Sequence, residues 1–297
     1  MKFGKVDHPE TVDFTIPKDH PETEVILQNS EPKSFEVYVG CAKWNKQDLK
    51  NFYPRGTKNE LEYYASQFNS IELNATFYRN FPTTQFDKWY AAVPDDFRFF
   101  PKIMQRVSHL KRLNGIDDAL EECLDGFVHL KEKLGTVFLQ MHNNFAPKNF
   151  DRVQRFVELW PKEIPLAVEF RHTDWFNDTT VSEELYHLLQ ENGLGNIIVD
   201  TAGRRDLMHM RLTNDEAFVR YVGANHPTDY DRLDEWIDRI ELWKAQGLSK
   251  LDFFIHQNIE ESSPLLSAYF IEQLNKRLGL SLHIPQTLDN NNKNLFS

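Results

Sequence analysis

The sequence predicts a (β/α)8 barrel of the TIM type, built as a single domain behind an N-terminal extension. Three observations lead there. Eight short apolar runs alternate with longer helical patterns, the alternation fills about 260 residues, and polar groups gather late in most of the runs. A doubly wound open sheet is the competing architecture. It lacks support because no G-x-G-x-x-G or G-x-x-x-x-G-K-[ST] follows any run.

Residues 1–34 are polar, Pro-containing and aperiodic, and are expected to lie over the domain as an extension. The barrel is placed at 35–288, and the Asn-rich 289–297 reads as a flexible tail. The first four strands are expected at 37–42, 70–78, 97–105 and 136–142, and the last four at 166–172, 196–200, 218–223 and 251–258. Apolar residues at three- and four-residue spacing predict helices over 58–68, 150–160, 182–193, 230–247 and 261–279. Ser182 is the expected N-cap of the third of these and Gly193 its stop. The stretch 201–216 is the least regular connection.

At 297 residues and 40% hydrophobic, with 23 Phe, the chain can bury a sizeable core. Thirty-four Lys and Arg against 45 Asp and Glu leave a net charge of −11, which disfavours a nucleic-acid or acidic-membrane footprint. Cys41 and Cys123 form no disulfide framework. Neither a signal-peptide h-region nor 18 uninterrupted apolar residues is present, so a cytoplasmic protein without a membrane partner is expected. Oligomeric state is not readable from the letters.

Functional groups of such barrels sit at the carboxyl ends of the strands, and alternation says which side chains face inward. In Pro165–Phe176, "PLAVEFRHTDWF", Leu166, Val168 and Phe170 face the helices while Ala167, Glu169 and Arg171 face the interior. The same parity turns Glu72, Asn74 and Thr76 inward, joins Lys102 to Phe100, and joins Gln140 and His142 to Phe138. Asp200 ends the sixth strand, Arg220 lies between Phe218 and Val222, and Gln257 or Asn258 ends the eighth. One charge at a strand end is ordinarily a solvated edge, and an inward Glu beside an inward Arg is ordinarily a structural ion pair. Six ionisable groups at one mouth are more typical of an active site.

Three cations (Lys102, Arg171, Arg220) suit a phosphate or carboxylate, which Arg binds bidentately. Glu72 and Glu169 suit general acid and base roles, with Lys102 as the third catalytic candidate. A Schiff base at Lys102 requires desolvation or cationic neighbours that depress its pKa. The two carboxylates could also join His142, His172 or His256 around a divalent metal, although no compact ligand spacing such as H-E-x-x-H is present. Gly223 could offer backbone N–H groups to a phosphate, and Trp44, Tyr78 and Trp175 could wall a pocket. G-x-S-x-G is absent, and Cys41 reads as a small hydrophobe.

These residues together resemble the YecE-like family, a domain of unknown function numbered 72. The shared signals are "VGCAKW" (Gly40, Trp44), "IELNATFY" (Glu72, Asn74, Thr76, Tyr78) and "FRFFPK" (Lys102). They continue through "FLQ" (Gln140), "EFRH" (Glu169, Arg171, His172), Asp200 and "VRYVG" (Arg220, Gly223) to a closing Ile284-Pro285-Gln286…Leu295-Phe296. The resemblance implies a TIM barrel and brings no reaction, substrate or cofactor. Many members carry a Ser-Gly-Trp-type turn after the first strand. Here Ala42-Lys43-Trp44 supplies no hydroxyl, and the 34-residue extension lies outside the family core.

The expected function is therefore an enzyme, a hydrolase, lyase or isomerase, acting by acid–base chemistry on a small phosphate- or carboxylate-bearing substrate. Asn74, Tyr78, Gln140, Arg171, His172, Asp200, Arg220, Gly223 and Trp44 would form the ligand-binding set. The alternatives are a metal-assisted phosphodiesterase or nuclease and a non-catalytic ligand-binding barrel.

Overall fold

The structure is a computed structural model and describes residues 4–31 and 33–286. The expected tail at 289–297 lies outside the described residues.

The apolar runs become strands β1 (Glu36–Cys41), β2 (Ser70–Leu73), β3 (Arg98–Pro101), β4 (Val137–Gln140) and β5 (Leu166–Glu169). They continue as β6 (Gly195–Asn196), β7 (Ile198–Thr201), β8 (Glu216–Gly223) and β9 (Lys250–Gln257). The strand order is β3-β2-β1-β9-β8-β7 in one sheet and β4-β5-β6 in a second. Every strand pair is parallel. Two isolated parallel bridges, Phe99 to Leu134 and Lys102 to Phe138, join the sheets beside β3 and β4. On the other side the expected sixth strand is divided. Ile197 turns its N–H to Val168 O at 2.9 Å, so β6 pairs with β5 while β7 pairs with β8.

Several strands end earlier than their apolar runs. The second stops at Leu73 because Asn74 takes a helical conformation and opens α3 (Ala75–Tyr78). Thr76 Oγ1 locks that turn by reaching Leu73 O at 2.8 Å and Lys102 O at 2.7 Å. The third stops at Pro101, which has no N–H to continue a ladder.

The five expected helices form as α2 (Glu60–Gln67), α6 (Phe150–Leu159), α8 (Thr179–Glu191), α9 (Thr228–Gln246) and α10 (Ser263–Leu278). Asp178, not Ser182, caps α8: its Oδ1 accepts from Thr180 N at 2.9 Å and Val181 N at 3.4 Å. The helix thus begins a turn earlier than expected. Gly193, past its end, takes φ 67°, a conformation that favours glycine. Further helices are α1 (Pro21–Gln28), α4 (Thr83–Ala91), α5 (Asp117–Phe127) and α7 (Asp174–Asn177). The irregular connection after β7 holds a short 3₁₀ turn, Ala202–Leu207.

Residues 4–31 are more ordered than their polarity suggests. Leu27 of α1 is fully buried, Thr23 Oγ1 donates to Met210 O at 3.0 Å, and Trp243 Nε1 of α9 donates to Asp19 Oδ2 at 2.9 Å.

Alternation sorts the core into layers. Ile71, Leu73, Leu166, Val168 and Phe170 pack among helix residues. Phe100, Phe138, Ala167, Ile197, Val199, Phe218 and Phe254 form a separate cluster between the strands. Phe254 meets Phe100 edge-on at 4.8 Å and Phe218 tilted at 5.2 Å. Each buried Phe contributes roughly 1.5–3 kcal/mol. The layer forms a dry floor beneath the polar ends of the strands.

Candidate active site

At the next inward position beyond each floor residue, the side chains change from apolar to polar or ionisable. Phe138 is followed by Gln140, Ala167 by Glu169, Phe218 by Arg220 and Phe254 by His256. Glu72 reaches the same level from β2, beside Phe100 in the register. Glu72, Glu169, Arg220 and His256 are all fully buried or nearly so.

Arg220 holds this group together. Its Nε and Nη2 donate to Glu72 Oε2 and Oε1 at 2.8 and 2.7 Å, and its Nη1 donates to Glu169 Oε2 at 2.6 Å. The fork and the carboxylate match geometrically, which is why an arginine rather than a lysine serves here. Asn74 Nδ2 adds a 2.7 Å bond to Glu72, and His256 Nε2 lies 3.0 Å from Glu72 Oε2. Glu169 also accepts a hydrogen bond from Arg171 Nε and two of 2.9 Å from Gln140 Nε2. Gln140 is thereby oriented with Oε1 outward, accepting from Lys102 Nζ at 2.8 Å.

Burial opposes ionisation of both carboxylates, but the neighbouring cations outweigh it. Arg220 and His256 keep Glu72 well below the usual carboxylate range, and Arg171 with Arg220 brings Glu169 to about 2. Lys102 moves the other way. Burial, reinforced by Arg220 and Arg171, lowers its amine to about 7. Its Nζ sits 4.3 Å from the Phe77 ring centre. His109 is lowered to about 4 by burial and by Lys102.

A cavity of about 700 Å³ opens above the network. Lys102, Gln140, Arg171, Arg220, His256 and Glu260 line its base, and Trp44, Asn74, Phe77, Tyr78 and His109 rise around it. Tyr78 is 70% exposed and sits at the rim.

Of the three catalytic candidates only Lys102 faces the cavity; Glu72 and Glu169 lie beneath it, consumed by ion pairs. Asn74, Tyr78, Gln140, Arg171, Arg220 and Trp44 of the expected ligand-binding set line the cavity. His172, Asp200 and Gly223 do not. Asp200 shares the outward parity of Ile198 and is held by Arg232 Nη2 at 2.7 Å, Trp236 Nε1 at 2.7 Å and Arg205. Gly223 packs against the Gln257 side chain, leaving no room there for a Cβ. His172 lies in the loop after β5, with Nδ1 3.6 Å from Asp174. Trp175 is buried against Phe170 at 4.5 Å rather than walling the pocket.

The three histidines considered as metal ligands are separated in role. His142 packs on His109, His172 pairs with Asp174 and His256 belongs to Glu72. Among the described residues, no three His, Cys, Asp or Glu side chains are grouped to hold a metal ion. Among the lining residues that the sequence does not single out are Glu260, His109 and Phe77, and it offers His256 only as a metal ligand. Parity with Phe254 marks His256 in the letters; the other three come from loops and short helical turns, where alternation carries no signal.

The fold and site define a parallel α/β protein with a buried arginine–carboxylate network under a cavity at the strand ends. The chain belongs to the family described as "Protein of unknown function DUF72", which matches residues 38–289. It is 26% identical to the UPF0759 protein YecE of Escherichia coli K12 over a 275-residue alignment covering 84% of this chain and 98% of that protein. It is 30% identical to the UPF0759 protein YunF of Bacillus subtilis 168 over 201 residues, 64% of this chain and 71% of that one. Two solved DUF72 structures share the fold. One from Enterococcus faecalis V583 aligns with TM-score 0.65 at 20% identity, covering 84% of this chain and 98% of its own. One from Thermotoga maritima MSB8 aligns with TM-score 0.60 at 23% identity, covering 81% and 99%. No helix among the described residues is long and apolar enough to cross a membrane.

Proposed function

We propose that this chain is a cytoplasmic enzyme that transfers protons on a small carboxylate- or phosphate-bearing substrate, with Lys102 as the proton-transfer group. The two sheets are read as the staves of one (β/α)8 barrel, spanning 35–288 behind the extension at 1–34. The two bridges beside β3 and the shared run of β6 and β7 support that closure.

The single observation behind the catalytic reading is the position of Lys102. Its amine stands in the cavity wall with Gln140 as hydrogen-bond acceptor, while both nearby carboxylates are engaged elsewhere. An amine near pH 7 accepts and returns a proton readily, whereas Glu169 at about 2 is a weak base. The acid–base work expected of Glu72 and Glu169 thus passes to Lys102, and the two carboxylates become positioning residues. Arg171, on the cavity base, is placed to meet an anion.

The test is hydrogen–deuterium exchange. The protein is incubated in D₂O with a panel of small carboxylates and phosphates, and C–H loss is followed by NMR. At least one member exchanges with wild type, and Lys102→Met slows it by about 10²–10⁴-fold, the usual worth of a positioned base. Equal exchange in both proteins would reject the reading.

A further inference from the structure

We propose that the Lys102 amine is also a covalent nucleophile, condensing with the carbonyl carbon of a small anionic ketone, aldehyde or α-keto acid to form a Schiff base. This rests on the reading of Lys102 above and extends it from moving a proton to making a bond.

Three features of the geometry support it. First, the amine is not spent on an ion pair. Among the described residues its hydrogen bond goes to the neutral Gln140 Oε1 at 2.8 Å, while Glu72 is taken by the Arg220 fork and Glu169 by Gln140, Arg171 and Arg220. Secondly, its surroundings disfavour the ammonium form. Its side chain is buried, and Arg220 and Arg171 add like charge. Desolvation and cationic neighbours are the two means by which a lysine is made nucleophilic at neutral pH. Thirdly, the amine faces space. The cavity of about 700 Å³ accommodates a metabolite-sized carbonyl compound, and Arg171 in its base suits that molecule's carboxylate or phosphate.

The step balances without a further reagent. The Nζ lone pair forms the C–N bond as the carbonyl π pair moves to oxygen, which takes a proton while nitrogen releases one. The carbinolamine hydroxyl then leaves with a proton as water, and the nitrogen pair forms C=N. One amine, one carbonyl and one proton become one iminium and one water.

The experiment is reductive trapping on the whole protein. Pyruvate and dihydroxyacetone phosphate are added separately, sodium borohydride follows, and the modified lysines are mapped by peptide mass spectrometry across pH 5–9. At pH 7 the neutral fraction of an amine titrating near 7 exceeds that of an ordinary lysine about a thousandfold. Lower intrinsic nucleophilicity reduces the advantage, so labelling of Lys102 is expected to exceed that of the exposed Lys58 by at least about tenfold. It should rise through pH 7 and then level. The pyruvate and dihydroxyacetone phosphate arms separate a carboxylate from a phosphate preference. No Lys102 adduct with either probe, or labelling no greater than at Lys58, overturns the inference. If exchange is still lost in Lys102→Met under that outcome, proton transfer stands and only the covalent step falls. If the adduct forms while Lys102→Met exchanges normally, the reverse holds.

Discussion

Replacing Arg220 by Met removes a side chain that binds both buried carboxylates at once. Glu72 would keep Asn74 and His256, and Glu169 would keep Gln140 and Arg171, but the bidentate partner disappears from beside two buried carboxylates. Breaking one side of a buried pair costs about 3–5 kcal/mol. The displacement of Glu169 from 4.5 to about 2 corresponds to about 3 kcal/mol at neutral pH, a net of burial against Arg171, Arg220, Gln140 and Lys102 of which Arg220 supplies only a part. The sign also follows. A lowered acid pKa stabilises above the ordinary carboxylate range, and that stability disappears as pH falls from 4.5 toward 2. Wild type should therefore weaken over that interval. In Arg220→Met the carboxylates prefer the neutral form, so the variant should gain stability as pH falls from 8 to 5. Guanidinium denaturation at pH 2.5, 3.5, 5, 7 and 8, with unchanged m-values, reads both effects. Adding Glu72→Gln should restore about 2 kcal/mol by removing the stranded charge. A loss below about 1 kcal/mol, or pH profiles that run parallel, would refute the assignment of Arg220 as the electrostatic centre.

Three further outcomes follow from other parts of the molecule. Lys102→Met should be more stable than wild type at pH 6, by about 2 kcal/mol after the unpartnered Gln140 oxygen is counted, in thermal or chemical melts. Because the folded-state amine titrates near 7 and an ordinary lysine at 10.5, the gain should shrink as pH rises between those values. Asp200→Asn should cost about 3 kcal/mol through Arg232 and loosen the amides near Phe14 in hydrogen exchange, since Arg205 carries both contacts. Gly40→Ala should cost on the order of 2 kcal/mol, because its Cβ would strike the Ser70 carbonyl across the β1–β2 pair.

The two-residue period of a strand explains most of what the letters foretold. It separated Leu166, Val168 and Phe170 from Ala167, Glu169 and Arg171, and it brought Lys102, Gln140 and Arg220 to one place. Asp200 shows how the same rule misleads when it is not applied to the end. Counted from Ile198 it faces the helices, where Arg232 and Trp236 wait for it. Glu72 and Glu169 are legible as inward carboxylates, but not as spent ones, because their shared partner Arg220 lies 148 residues from one and 51 from the other. Glu260 and His109 rest on turns and helical loops, whose direction no periodicity encodes. The helix at Pro21–Gln28 escaped notice because its support is tertiary: it lies on α9 rather than earning its stability from pattern.

Counting electric charge across the hydrogen-bonded core gives a last consequence. Glu72 and Glu169 stand against the Arg171 and Arg220 guanidinium groups, Glu260 faces His256, and an amine near 7 is partly neutral at physiological pH. Before any ligand arrives, that core is close to electrically balanced. An incoming anion tips the balance, and Lys102 is the member able to answer by taking up a proton. Ligand entry and proton uptake are then a single thermodynamic event, so the heat of binding should vary with the ionisation enthalpy of the buffer.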